Sequence, residues 1–311
     1  MDGKKPGDNP WQNARIKPAS ARKESGKPAL AERAFRGPVS VSPGPKYISP
    51  PVAAEEPPRR PEGAQRRGQE LRVYGRNACL AVFARRPDDV RKVYLTEARI
   101  GDFKPVLAWC VKHRLGYRVV EAEDLDRLTE TQHHEGVCFE VRRQPPLTVE
   151  TMLQAIERTR PALVAWLDGV GNPHNVGAIL RSAANFGVQG MILPAQTPEL
   201  SGAALRVAEG GAESVRLAYA RAGEDVAAQL HAAGFTVAGT VPRDGTPLYE
   251  TTFPARLALV LGAEGEGMSK ALIRAADLRI TVPGTGAVES LNVSASAAVL
   301  FGEFWRQHPA R

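Results

Sequence analysis

The chain has 311 residues, 43% of them hydrophobic, enough for a buried core and for more than one domain. It carries 41 Lys and Arg against 34 Asp and Glu, a formal net charge of +7 that hints at a polyanionic partner. No apolar run is long enough to cross a membrane, and the polar start from Met1 to Pro10 lacks the apolar region of a secretory signal. The three cysteines, Cys79, Cys110 and Cys138, form no Cys-x-x-Cys pair. They read as reduced thiols packed as small hydrophobes, and the protein as cytoplasmic.

The charge is unevenly placed. Residues 1–70 hold 14 Lys and Arg, 8 Asp and Glu and 12 of the 25 prolines, with no apolar period, and read as a disordered basic arm. The remaining 241 residues carry 27 basic and 26 acidic side chains, so the body is close to neutral.

In chain order, a small α/β domain over 71–143 begins with a helix near Tyr74–Phe83. Strands follow at Lys92–Leu95 and Tyr117–Val120, with a helix at Phe103–His113 between them. A helical turn at Leu125–Leu128 precedes a closing strand at Gly136–Val141. Residues 144–160 read as a polar, Pro-containing linker. From 161 to 311, apolar strands at Leu163–Leu167, Met191–Leu193, Phe235–Gly239, Leu257–Leu261 and Leu278–Val282 alternate with helices at Val176–Phe186, Asp225–Ala233 and Val293–Trp305. Apolar runs separated by helices predict an α/β fold with a parallel sheet covered on both faces. Ligands of such sheets sit beyond the carboxyl ends of the strands.

Three loops at those ends are rich in Gly and polar residues. The first, Asn172-Pro173-His174-Asn175-Val176-Gly177, offers Asn175 as an N-cap and Gly177 for close backbone approach, with Arg181 farther along the helix. The second, Gly262-Ala263-Glu264-Gly265-Glu266-Gly267, has the glycines of a phosphate loop but not its Lys-Ser/Thr. Its two carboxylates favour a cationic or hydrogen-bond-donating ligand. The third, Pro283 to Ser294, holds Glu289, Ser290 and Asn292, with Ser290 or Asn292 as possible caps. Asp168-Gly169-Val170-Gly171 opens like a dinucleotide fingerprint but places Pro173 and His174 where the next glycine belongs, against a nicotinamide oxidoreductase. His133 and His134 are adjacent with no nearby Cys or third His, so no metal site is expected.

Together these loops resemble the three motifs of the SpoU (TrmH) family of RNA 2′-O-methyltransferases, within the SPOUT superfamily. The matching residues are Asn175-x-Gly177-Ala178-x-x-Arg181, Leu261-Gly262-Ala263-Glu264-Gly265-x-Gly267, and Ile280-x-Val282-Pro283 leading to Ser290-Leu291-Asn292-Val293-Ser294. Val73-Tyr74-Gly75-Arg76-Asn77-Ala78 and His134-Glu135-Gly136-Val137 are similar to the ends of the family's N-terminal substrate-binding domain, and neighbouring segments resemble a YfiF-like bacterial branch. The resemblance implies a deep trefoil knot, an RNA substrate (tRNA or rRNA), a homodimer whose site draws on both chains, and S-adenosyl-L-methionine as cofactor. It implies that the cofactor is held around Thr240, Gly262, Val282 and Leu291. Arg181 matches the residue assisting proton loss from the ribose 2′-hydroxyl, with Asn175, Glu264, Ser290 and Asn292 positioning the ribose. A non-catalytic RNA-binding protein with the same fold is the alternative. Two departures from the family pattern, Glu135 and the Ala208-Glu209-Gly210 that precedes Gly211-Ala212, bear on substrate choice.

Overall fold

The computed structural model describes residues 70–309 apart from 195, 196, 198 and 266. The predicted arm therefore lies outside the described residues, save for its last position. Two sheets organise the described chain. The first has the order β1-β4-β2-β3 and contains β1 (Glu70–Tyr74), β2 (Val90–Leu95), β3 (Gly116–Val119) and β4 (Val137–Arg142). Strands β1 and β2 run antiparallel to β4, and β3 runs parallel to β2. Helices α1 (Arg76–Arg85) and α2 (Lys104–His113) pack Cys79, Val82, Val106 and Cys110 against Val93, Leu95 and Phe139 of one sheet face. Helix α3 (Ala122–Thr129) seats Leu125 on Tyr74 and Cys138 of the other.

The predicted linker is partly structured. Helix α4 (Val149–Gln154) is capped by Thr148, whose hydroxyl accepts from Thr151 N at 3.1 Å, and it buries Val149, Met152 and Leu153. Leu147 bridges Ala218 in parallel, so the connection is pinned to the second sheet. The sequence periodicity is too short there to reveal one and a half turns of helix.

The second sheet has the order β7-β6-β5-β10-β8-β11-β9, with every strand pairing parallel among the described residues. Its strands are β5 (Ala162–Asp168), β6 (Gly190–Leu193), β7 (Arg216–Tyr219), β8 (Thr236–Thr240), β9 (Thr246–Pro247), β10 (Arg256–Gly262) and β11 (Leu278–Thr281). The central strands β5 and β10 read as unbroken apolar runs because both faces are covered. On one face lie α5 (Pro173–Asn185) and α9 (Val293–Gln307), contributing Ile179, Leu180, Leu300 and Phe301 to one core. On the other lie α4 and α7 (Val226–Ala232), with Met152, Leu230, Trp166 and Val260 in a second core. Short helices α6 (Gly202–Val207) and α8 (Lys270–Ala275) complete the chain order between α5 and α9. No helix among the described residues is long and apolar enough to cross a membrane.

Candidate active site

The loops after β8, β10 and β11 enclose a cleft of 760 Å³ at the carboxyl ends of the second sheet. Thr240, Gly262, Val282 and Leu291 all line it, as do Glu264 and Ser290. Its walls mix apolar side chains (Leu261, Met268, Ile280) with the open backbone of Gly265, Gly284 and Gly286. Gly262 is required by space rather than by dihedral: a Cβ there would fall 2.4 Å from the Gly267 carbonyl carbon. The loop after β10 doubles back on itself, with Ala263 and Gly267 exchanging backbone hydrogen bonds at 3.2 and 2.9 Å. Asp168 at the end of β5 anchors the far side of this loop by accepting from Ser269 N at 2.7 Å. Thr240 is turned to its sheet neighbour, its hydroxyl donating to Val260 O at 2.8 Å.

At the cleft mouth the three sequence motifs meet in one polar cluster. Asn292 Nδ2 donates to Glu264 Oε1 at 2.5 Å and to Asn175 Oδ1 at 3.2 Å. Glu264 Oε1 also accepts from Val293 N at 3.3 Å, at the start of α9. Asn292 is the N-cap of that helix, its Oδ1 accepting from Ser294 N at 2.9 Å. One amide thus closes a helix end with its oxygen and holds a carboxylate and a second amide with its nitrogen. Glu264, Ser290, Leu291 and Asn292 are exposed, and Asn175 is half-buried.

The N-cap assignment of the first motif needs correction. The cap of α5 is Asn172, whose Oδ1 accepts from His174 N at 2.9 Å, followed by Pro173 at the first helical position. This leaves the Asn175 side chain available to Asn292. Gly177 makes the close approach expected: a Cβ there would lie 2.5 Å from Ala204 O.

Arg181 stands apart from this cluster. It is exposed on α5, does not line the cleft, and takes part in no ion pair among the described residues. Its backbone instead abuts the segment after α6, where a Cβ on Gly211 would lie 3.2 Å from Arg181 Cα. Glu266 of the second motif lies outside the described residues.

The segment around α6 is the seam between the layers built on the two sheets, and the residues of both departures from the family pattern meet there. Glu135 Oε2 accepts from Arg76 N at 3.0 Å while Oε1 pairs with Arg206 at 3.0 Å. Glu209 accepts from Asn77 Nδ2 at 2.5 Å. Arg86 reaches Glu213 with two parallel hydrogen bonds of 2.8 Å. Asp89, buried beside it, is held by Arg142 and Gln144. Glu135, Glu209 and Glu213 are docking residues, a role visible only once distant positions are brought together, 132 apart for Glu209 and Asn77 and 127 apart for Glu213 and Arg86. His134 is likewise structural: Gly136 N donates to its Nδ1 at 2.9 Å, so its Nε2 carries the proton toward Asp126 at 2.9 Å. Among the described residues no group of three or more His, Cys, Asp or Glu could hold a metal.

Comparison with known proteins agrees with this geometry. Residues 162–302 match the SpoU rRNA Methylase family, and residues 72–147 match the RNA 2′-O ribose methyltransferase substrate binding domain. The chain is 35% identical over 303 residues to the uncharacterized tRNA/rRNA methyltransferase YfiF of Escherichia coli O157:H7, covering 97% of this chain and 81% of the relative. It is 34% identical over 245 residues to the 23S rRNA (guanosine-2′-O-)-methyltransferase RlmB of Nitrosomonas europaea, covering 77% of this chain and 92% of that one. Its fold is that of the SpoU methyltransferase AviRb from Streptomyces viridochromogenes, solved with AdoMet (TM-score 0.65, 21% identity, 78% of this chain and 92% of that one). The chain belongs to the SpoU family of S-adenosylmethionine-dependent RNA methyltransferases.

Proposed function

We propose that this chain methylates a ribose 2′-hydroxyl of ribosomal or transfer RNA in the cleft between the loops after β8, β10 and β11. The Asn175–Glu264–Asn292 cluster at the mouth of that cleft carries the reading, because it joins all three motifs at one point. The cleft fits the cofactor: apolar walls at Leu261, Ile280, Val282 and Leu291 suit an adenine, and open glycine backbone suits its polar edge. When bound, S-adenosylmethionine supplies a methyl group on a sulfonium. The task left to the protein is to orient the hydroxyl and to relieve it of its proton.

Asn175, Glu264, Ser290 and Asn292 present donors and acceptors suited to ribose hydroxyls. Arginine stays protonated in proteins, so Arg181 serves as a cation, gripping a phosphate and stabilising developing alkoxide charge. Its separation from the cleft of its own chain supports a homodimer in which each cleft receives the partner subunit's Arg181. The trefoil knot and a cytoplasmic location belong to the same reading, as does extra salt-sensitive RNA affinity from the basic arm.

The test is tritiated-methyl incorporation into total RNA from a strain lacking the gene. Arg181→Ala is expected to lose incorporation while calorimetric S-adenosylmethionine binding stays, and wild-type incorporation defeats its role. Co-expression of Arg181→Ala with Gly262→Ala chains should restore part of the activity. No restoration defeats the shared site.

A further inference from the structure

The seam described above has a geometric consequence for the first sheet. Its β1 edge is covered by α6, since a Cβ on Gly202 would fall 2.7 Å from Arg72 O and 2.5 Å from the Tyr74 ring. The start of α1 is occupied by Glu135 and Glu209. The opposite edge is β3, which pairs with β2 on one side and with no strand on its outer side among the described residues, and all four of its residues are exposed.

The composition of that edge is basic between Asp102 and Glu121, the exposed acids of the next helix start lying beyond it. Residues 103–120 hold Lys104, Lys112, Arg114 and Arg118, together with His113, and no Asp or Glu. From Val111 to Val119 every residue except Leu115 is exposed. Three large apolar side chains lie open among the cations: Val111 (66%), Tyr117 (43%) and Val119 (49%). The register sets Lys92 opposite Gly116 and Tyr94 opposite Arg118, and the Lys92 ammonium lies 4.7 Å from the Tyr94 ring centroid.

Basic residues in the last turn of α2 are favoured by the helix dipole, which accounts for Lys112 and His113. It does not account for Arg118 in the strand. Arg114 holds the left-handed cap position (φ 55°), where Gly or Asn is the usual choice, so a cation is kept there at a local conformational cost. Cations spaced along an extended edge, interleaved with an open aromatic ring, match the phosphates and bases of a single nucleic-acid strand.

We propose that the α2–β3 edge grips a single-stranded stretch of the RNA, with Lys112, Arg114 and Arg118 on phosphates and Tyr117 as a base-stacking platform. This rests on the RNA methyltransferase reading and adds where the substrate is held. The edge faces away from the seam, so RNA engages it without disturbing the docking of the two domains.

The test measures binding of the full-length chain to a short, unstructured, fluorescein-labelled RNA by anisotropy across a KCl series. The triple variant Lys112→Gln, Arg114→Gln, Arg118→Gln is compared with a charge-matched control, Arg158→Gln, Arg160→Gln, Arg221→Gln, at exposed positions outside residues 71–143. At ~0.7 per phosphate for single strands, the triple variant should flatten the log–log salt slope by about 2, and the control should not. Tyr117→Ala should weaken binding by about 5- to 150-fold with the slope unchanged. Calorimetric S-adenosylmethionine binding should persist in every variant, showing that the fold is intact. A wild-type slope in the triple variant, or equal flattening in the control, overturns the proposal while leaving the methyltransferase reading in place. A changed sedimentation coefficient with an unchanged slope also overturns it, marking the edge as a contact between copies. A wild-type chain that binds the cofactor but no RNA at low salt overturns the RNA reading itself, and this proposal with it.

Discussion

Replacing Arg86 with Met removes the guanidinium and keeps most of the aliphatic stem. Arg86 is 15% exposed, its partner Glu213 is 13% exposed, and neighbouring Asp89 is 3% exposed. The substitution deletes two parallel charge-assisted hydrogen bonds to Glu213 at 2.8 Å and the one to Arg142 O at 3.1 Å. Asp89 keeps Arg142 and Gln144, so the loss falls mainly on Glu213, left charged and largely dry. Breaking such a pair from one side costs about 3–5 kcal/mol. At the lower bound, opening of the seam becomes roughly 150-fold more favourable. Hydrogen exchange read by mass spectrometry should show that acceleration in peptides covering 71–86 and 201–215, with the central strands β5 and β10 unchanged. The double variant Arg86→Met, Glu213→Leu should recover most of the protection, because the stranded carboxylate is gone. Exchange within threefold of wild type in the single variant would refute the view that this pair holds the domains together. The exposed pair Arg160–Glu157 sets the scale for a contact of little worth.

Three further outcomes are expected. Gly262→Ala forces the loop after β10 away from a 2.4 Å clash, and overpacking of about 1–3 kcal/mol corresponds to ~5- to 150-fold weaker S-adenosylmethionine binding by calorimetry; unchanged affinity would show that the turn adapts freely. Burial pushes up the Cys79 and Cys110 thiols and raises Cys138 to about 12, so none of the three should react with a thiol reagent in the native chain and all should react in guanidinium. Burial alone would raise Asp89, yet Gln144, Arg142 and Arg86 hold it below the ordinary carboxylate range, and Val237 N–H and His231 do the same for the more exposed Asp277. Folded values below unfolded ones mean that this stabilisation is complete above about pH 4 and drains away as pH falls through the folded values. The thermal midpoint should therefore drop on acidification below about pH 4, and a rise there would contradict the assignment.

Strand β10, which carries the second motif, is legible in the sequence because it is buried on both faces and therefore apolar without interruption over Leu257–Leu261. Strand β7 is not: Arg-Leu-Ala-Tyr is too short and too exposed to declare itself at a sheet edge. Helix α6 escaped for a related reason, since six residues give no measurable period. The cleft residues are named through the family resemblance alone, and the structure brings Asn175, Glu264 and Asn292 within hydrogen-bond reach of one another. The cap of α5 could have been read locally, because Asn172 followed by Pro173 is the usual order of a cap and a first helical residue. The docking role of Glu135, Glu209 and Glu213 could not. Each partner lies far away in the chain, and nothing near a carboxylate in sequence records which distant arginine or amide it will meet.

That separation also has a temporal side. The residues of the first sheet that meet the seam, up to Arg86, leave the ribosome well ahead of Glu213, which follows 127 residues later. At elongation rates of about 5–20 residues per second the gap is roughly 6–25 s, long compared with the folding of a small α/β unit. During that interval the β1 edge, later covered by Gly202–Val207, is bare, and Arg86 has only Asp89 and the Arg142 carbonyl beside it. The first domain must therefore stay soluble for seconds with one strand edge open, making nascent chains, rather than finished protein, the state most exposed to edge-to-edge aggregation.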